Sequence, residues 1–357
     1  MSEKLLSFFQ LYPQDKAPFL HEQLAEWTQS KPLLGLDVLH HVPLVPNTLL
    51  KIACLVSAGA NVVVTNPNFM SAHPAAIRAL SDADILYVED LSTLRGKDFD
   101  LYFDCGAELY QKLGSPRKGA IELTGSGDQY YRQQKLSFPV VSIDRTYTKQ
   151  LETIFGCAES ASQAIVKLTD INLVKQSWMV FGFGKIGRGL AYYCVNNQVP
   201  VVVVDKDENV RRSAESFGIK TIDPNEDEKI QFGLSQSDLV VTATGCGNIL
   251  SRYPKNWFAG KLLVNMGVLD EFGPNFQAHE VLNNKLPVNF VLDDPTPIEY
   301  IDPELYAHNI ASLELLNSHL PCGVNDLSRK TDQEIISTWC QYQKLSVEQV
   351  TKWFVKN

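Results

Sequence analysis

Gly182-Phe183-Gly184-Lys185-Ile186-Gly187 carries the strongest chemical signal in the chain. Glycines at this spacing suit a phosphate-binding turn. The first permits a tight bend, the second lets a pyrophosphate approach the backbone, and the third lets a helix pack closely on a strand. The N–H groups opening that helix then meet the phosphates with a favourable partial charge. The flanks make the motif specific. An apolar run, Trp178-Met179-Val180-Phe181, precedes it, and a helical pattern through Leu190, Ala191 and Cys194 follows. A second strand, Val201 to Val204, then ends in Asp205. Asp205 stands 23 residues after Gly182, near the ~20 expected of the acid that binds the adenosine ribose. A carboxylate there repels a 2′-phosphate and so selects NAD over NADP; Lys206 weakens that repulsion, and Asp207 and Glu208 offset it. Thr242-Ala243-Thr244-Gly245 and Asn265-Met266-Gly267 close two later strands, where loops of a doubly wound sheet line the ligand crevice. The cofactor candidates are therefore Gly182, Gly184, Lys185, Ile186, Gly187, Asp205, Thr242, Ala243, Thr244, Gly245, Asn265 and Gly267.

The elements around these residues alternate short β-rich runs with helical patterns, an α/β signature. Strands are expected at Leu36–Leu39, Asn61–Thr65, Ile85–Val88, Leu101–Asp104, Ala120–Leu123, Val140–Ile143, Trp178–Phe181, Val201–Val204, Leu239–Thr242 and Leu262–Asn265. Helices are expected at Asn47–Ala58, His73–Leu80 and Asn209–Phe217. A long helix over Glu152–Val174 suits a connector between two α/β halves, and the tail after Asp326 reads as helical, ending in Val350, Trp353 and Phe354. In a strand, the adjacent His40 and His41 would point to opposite faces.

Composition bounds the remaining possibilities. The 357 residues suggest two domains at about 150 residues each. A net charge of −9 argues against nucleic acid as a partner. No uncharged apolar run approaches the ~20 residues of a membrane helix. The stretch from Met1 through Phe9 lacks the apolar core and cleavage site of a signal peptide. Seven scattered cysteines without a CxxC pair, and histidines without ligand spacing, favour a reducing cytoplasm and no metal site.

With the glycine motif, Asp205, Thr242–Cys246 and Asn265–Gly267 in order, the second half resembles the NAD domain of the S-adenosylhomocysteine hydrolase family. Lys31–Gly35, Gly59–Val62, Asn68-Phe69, Asp104–Leu109, Thr148-Lys149 and Phe155–Ser160 extend the resemblance into the first half, over roughly residues 30–310. It implies two doubly wound Rossmann-like domains with mostly parallel sheets and an interdomain cleft. Residues 1–155 plus about 310–357 would form the substrate-like domain and 156–309 the NAD domain. It further implies a small-molecule substrate, a homodimer, and NAD as a held catalytic group that oxidises a substrate hydroxyl by hydride transfer.

Position by position, the resemblance makes Lys149 and Glu152 the catalytic candidates and adds Thr124 and Ser126 to the cofactor contacts. A lysine whose pKa is lowered by burial or a nearby cation can act as a general base; the alternative is a surface lysine paired with Glu152. Cys105 reads as a nucleophile or a small buried hydrophobe, and His308 as a cleft residue or a helix-surface one. Pro43, Cys105, Leu123 and Val268 stand where the family has polar groups, which argues against adenosylhomocysteine hydrolysis itself. Three readings stay open: an NAD-dependent enzyme acting on a hydroxylated small molecule, a non-catalytic NAD-binding relative with a regulatory role, and a dehydrogenase of the D-2-hydroxyacid type.

Overall fold

The computed structural model describes residues 3–355; Met1 and Ser2, at the start of the stretch read for a signal peptide, lie outside the described residues. Its strands in chain order are β1 (Asp37–His41), β2 (Asn61–Thr65), β3 (Leu86–Tyr87), β4 (Leu101–Asp104), β5 (Gly119–Glu122), β6 (Pro139–Ser142), β7 (Trp178–Phe181), β8 (Val201–Val204), β9 (Lys220–Ile222), β10 (Leu239–Thr242), β11 (Leu262–Asn265) and β12 (Gly323–Asp326). They form two sheets in which every pairing is parallel. Parallel sheets are covered on both faces, so their strands read as continuous apolar runs. β4 and β7 are buried along their whole length.

The chain divides into two units, residues 1–149 with 298–347, and 150–297 with 348–357. The first holds the seven-stranded sheet, in the order β12-β6-β5-β4-β1-β2-β3; the second holds β11-β10-β7-β8-β9. Both are doubly wound. In the first sheet the order reverses between β1 and β4, in the second between β7 and β10, and ligands bind outside the strand carboxyl ends at such points.

Three features depart from the expectations. The return to the first unit begins at Ile298, ahead of the expected 310, because the helix Ile298–Asn317 packs on β5, β6 and the helices Pro18–Ser30 and Thr48–Ser57. Within it, Asp302 accepts from the backbone N–H groups of Phe19 (2.9 Å) and Leu20 (3.0 Å), capping a helix whose own N-cap, Ala17, has no side-chain acceptor. Second, residues 348–357 belong to the nucleotide unit rather than the substrate-like one. Third, the long connector helix is three pieces: Tyr147–Gln150, a π-turn at Leu151–Gly156, and Cys157–Thr169. The π-turn presents the Ile154 carbonyl to the helix Lys185–Asn196 so closely that a Cβ on Gly189 would sit 1.7 Å from that oxygen.

Candidate nucleotide and substrate sites

In the second unit, β7 leads into a turn at Gly182 with φ +97°, a left-handed conformation that glycine adopts without strain. A Cβ there would lie 2.6 Å from the Ala243 carbonyl oxygen, and one at Gly187 would lie 1.9 Å from the Gly182 oxygen. Gly184 is different. It caps the helix Lys185–Asn196, and a Cβ there would meet nothing within 4 Å. Its missing side chain leaves open space in front of the helix N-terminus, where a pyrophosphate would lie.

A cavity of about 770 Å³ opens there, within the range of small-molecule and cofactor sites. Gly182, Gly184, Asp205, Ala243 and Thr244 line it, as do Arg188, Tyr253 and Val355. Asp205 ends β8 with its carboxylate pre-oriented: Oδ2 accepts from Phe183 N–H (2.9 Å) and Oδ1 from Asp207 N–H (3.0 Å). The remaining lone pairs are available to ribose hydroxyls. Asp207 instead caps the following helix, accepting from Asn209 and Val210 N–H, while Glu208 pairs with Arg212. Replacing Asp205 by alanine is expected to weaken NAD binding by ~1–3 kcal/mol, because ribose hydroxyls lose a charged acceptor. Titration calorimetry with an unchanged NAD affinity contradicts this assignment.

The other nucleotide candidates do not line the cavity, and they hold its walls. Thr242 donates to Asn265 Oδ1 (3.0 Å), and Asn265 Nδ2 donates to the carbonyls of Gly267 and Leu269 (both 2.9 Å). Lys185 and Ile186 open the helix behind Gly184. Glu271, which residue spacing does not single out, organises both loops. Its carboxylate accepts from Thr244 N–H, Thr244 Oγ1 and Gly245 N–H at 2.7–3.0 Å, and a Cβ on Gly267 would lie 2.2 Å from its Oε1. Burial raises its pKa, opposed by those donors. Arg188 is a second residue that spacing does not single out. Its guanidinium lies over the Phe183 ring (4.6 Å) and donates to Ser213 Oγ (3.0 Å), while its Nε is buried without a partner. Burial lowers its pKa and the nearby Asp205 opposes that shift.

In the first unit, a polar cluster occupies the strand carboxyl ends at the β1/β4 reversal. His41 Nδ1 lies 2.7 Å from Thr65 Oγ1, whose hydroxyl donates to the His40 carbonyl (3.2 Å). Nδ1 is then the donor, and Nε2, 3.3 Å from Glu108 Oε2, is the nitrogen left to exchange a proton. Burial raises the Glu108 pKa, but bonds from His41 and Asn68 overcome this and hold it below the usual value. His40 points to the opposite face, where it is fully buried.

Asp104 and Glu122 end β4 and β5. Asp104 accepts from Tyr131 Oη (2.7 Å) and Cys105 N–H (2.8 Å). Glu122 accepts from Gly106, Ala107 and Thr124 N–H and from Thr124 Oγ1 at 2.6–3.0 Å. Thr124 and Ser126, expected at the cofactor, lie in this unit. Thr124 caps the helix Gly125–Arg132 and secures Glu122, and Ser126 Oγ is 3.3 Å from Thr124 Oγ1. Burial pushes the Cys105 thiol well up, which disfavours the thiolate form a nucleophile needs. His308 is neither a cleft nor a surface residue. It is fully buried, 3.0 Å from the Ile121 carbonyl and edge-on to Phe103.

Burial holds Glu122 and Asp302 at about 8, neutral in the folded protein where the unfolded chain ionises near the ordinary carboxyl value. The folded state therefore binds more protons across that interval. The stability these groups contribute is full below about pH 4 and is lost as pH rises towards 8. Denaturant midpoints between pH 5 and 8.5 should fall with pH in the native protein and fall less in Glu122→Gln.

The catalytic candidates are each held within their own unit. Asp332 accepts from Tyr147 and Thr148 N–H and from Thr148 Oγ1 (2.7–2.9 Å), fixing the turn that carries Lys149. Lys149 Nζ donates to the buried Glu304 at 2.8 Å. Glu152, on the π-turn, accepts from Thr296 Oγ1 (2.9 Å) and Thr153 Oγ1 (3.0 Å). Among the described residues, no group of His, Cys, Asp and Glu could hold a metal ion, and no helix is long and apolar enough to cross a membrane.

Residues 153–275 match the family model described as the S-adenosyl-L-homocysteine hydrolase NAD binding domain. The adenosylhomocysteinase of Archaeoglobus fulgidus is 27% identical over 266 residues, 68% of this chain and 64% of that protein. The S-inosyl-L-homocysteine hydrolase of Methanococcus maripaludis is 25% identical over 65% of this chain and 60% of that protein. The chain thus spans less than two thirds of the length of these relatives. The adenosylhomocysteinase of Thermotoga maritima is 25% identical over 85% of both chains. Among solved structures, a dipicolinate synthase chain from Bacillus halodurans covers 81% of this chain and 99% of its own, at 10% identity and a TM-score of 0.46.

Proposed function

We propose that this chain, an adenosylhomocysteinase-like protein carrying that family's NAD-binding domain, is an NAD-dependent enzyme that oxidises a hydroxylated small molecule, nucleoside-like or related, by hydride transfer. The observation carrying this reading is the pairing of exchangeable groups in the first unit, Lys149 on Glu304 and His41 on Glu108, alongside a nucleotide cradle in the second. The nicotinamide would supply hydride acceptance and return. The chain's own residues do the rest. Asp205 would hold the ribose and the N-terminus of the helix Lys185–Asn196 would face the pyrophosphate, while Lys149 or His41, once its own proton has passed to its carboxylate partner, would take the proton of the substrate hydroxyl. Glu304 and Glu108 steady the protonated partner in each pair.

The same structure supports a second, non-catalytic reading. Asp104 and Glu122 have their oxygens engaged by backbone and tyrosine donors within the unit, and Leu123 and Val268 offer no polar group to a ribose. The two readings separate in one assay. Purified protein is incubated with NAD and, in turn, S-adenosylhomocysteine, nucleosides and polyols, while NADH absorbance and homocysteine release are followed. NADH formation without homocysteine supports the enzyme reading; robust homocysteine release overturns it in favour of true hydrolysis. NAD binding with no turnover of any compound favours the non-catalytic reading. We place the protein in a reducing, cytoplasmic setting, from seven scattered cysteines without a CxxC pair.

A further inference from the structure

The segment after Val347 is docked on the nucleotide unit by several independent contacts. Trp353 is 2% exposed and stacks on Phe217, with ring centroids 3.9 Å apart and planes 13° from parallel. Its edge also meets Tyr192, on the helix that follows the glycine turn, at 5.3 Å. Phe354 is buried against Phe155 of the π-turn (6.2 Å). Gln150, itself 1% exposed, grips the next residue from both sides: Val355 N–H donates to Gln150 Oε1 (2.6 Å) and Gln150 Nε2 donates to the Val355 carbonyl (3.2 Å). A two-point backbone clamp of this kind fixes where the residue points, and Val355 is a wall of the nucleotide cavity. Gln150 immediately precedes the π-turn whose Ile154 carbonyl abuts Gly189, so clamp, turn and phosphate-binding helix form one continuous packed structure.

We propose that residues 348–355 are a retention element for the dinucleotide bound by the same chain, with Val355 the residue that closes the cavity wall. This rests on reading the cavity as the NAD site. A small apolar side chain at that position excludes water from the ligand without repelling its phosphates.

The test is a pair of opposite charges at one position, Val355→Asp and Val355→Lys, in the full-length protein. NAD affinity and dissociation rate are measured with adenosine as an uncharged probe, and Tm is recorded without ligand. An aspartate on the wall is expected to weaken NAD about tenfold and to leave adenosine less affected, while the lysine variant holds NAD at least as tightly as the native protein. Gln150→Ala, which releases the clamp, should speed NAD dissociation and remove the difference between the two charge variants. Affinity should also be independent of protein concentration. Equal losses in Val355→Asp and Val355→Lys, with a matching fall in Tm, overturn the proposal by making the segment merely structural. Unchanged NAD binding in both overturns it as well. Failure of the native protein to bind NAD instead overturns the reading of the cavity.

Discussion

Gly184→Ala and Gly187→Ala are both expected to abolish NAD binding, by at least ~100-fold (about 3 kcal/mol), but for different reasons that a melting curve separates. At Gly187 the added Cβ would lie 1.9 Å from the Gly182 carbonyl oxygen, and the backbone fixes the position of both atoms. Neither can move without displacing the helix Lys185–Asn196 from β7, so this variant loses stability as well as affinity. At Gly184 the same methyl meets nothing within 4 Å beyond its immediate chain neighbours. The fold is expected to keep its Tm while the methyl occupies the space a pyrophosphate needs in front of the helix N–H groups. Calorimetric titration and thermal unfolding of both variants make the check. If Gly184→Ala binds NAD like the native protein, the phosphates do not lie against this turn.

The second large effect is at Lys149. Replacing it by methionine leaves Glu304, 1% exposed, as a buried carboxylate that has lost this cation, and breaking such a pair typically costs ~3–5 kcal/mol. Changing both partners to apolar residues, Lys149→Met with Glu304→Leu, is expected to recover most of that stability, since a well-packed apolar pair often equals a buried ion pair. Chemistry should not recover. NADH formation is expected to fall ~10²–10⁴-fold in the single and the double variant alike, the usual effect of removing a positioned base. A double variant that regains both stability and turnover assigns Lys149 a purely structural role and leaves His41 as the base. His41→Asn then becomes the decisive variant, with Glu108→Gln reporting whether the carboxylate matters beyond orienting the ring.

Legibility differed between the two units for a physical reason. The nucleotide turn is local: strand, glycines, helix and acid lie within one short stretch, and each is required by sterics or hydrogen bonding that nearest neighbours dictate. The spacing therefore pointed directly to Gly182, Gly184 and Asp205, and the alternation of β-rich and helical runs to two parallel sheets. The same locality hides how the neighbouring loops are held. Thr242, Asn265 and Gly267 follow strand ends as ligand loops do, yet their side chains and backbone are spent on each other and on Glu271. Nothing in the spacing of residues 242–271 reveals that link.

The first unit's cluster is built from pairs far apart in the chain. Lys149 meets Glu304, His41 meets Glu108 and Thr65, and Asp332 fixes the turn bearing Lys149. Only the sheet order, which sets β1 beside β4, and the return at Ile298 bring them together. His308 shows the same limit in reverse. Its sequence neighbours suit an exposed helix, but this stretch of the helix packs against β5, β6 and two other helices, so the ring is buried. The sequence by itself determined the α/β class, the parallel sheets and the dinucleotide turn, because these follow from periodicity and backbone sterics within a few tens of residues. Tertiary structure alone decided which carboxylate each base faces, which loop residues meet a ligand, and where the last segment packs. Those depend on which distant side chains satisfy one another's charge and hydrogen bonds once water is excluded.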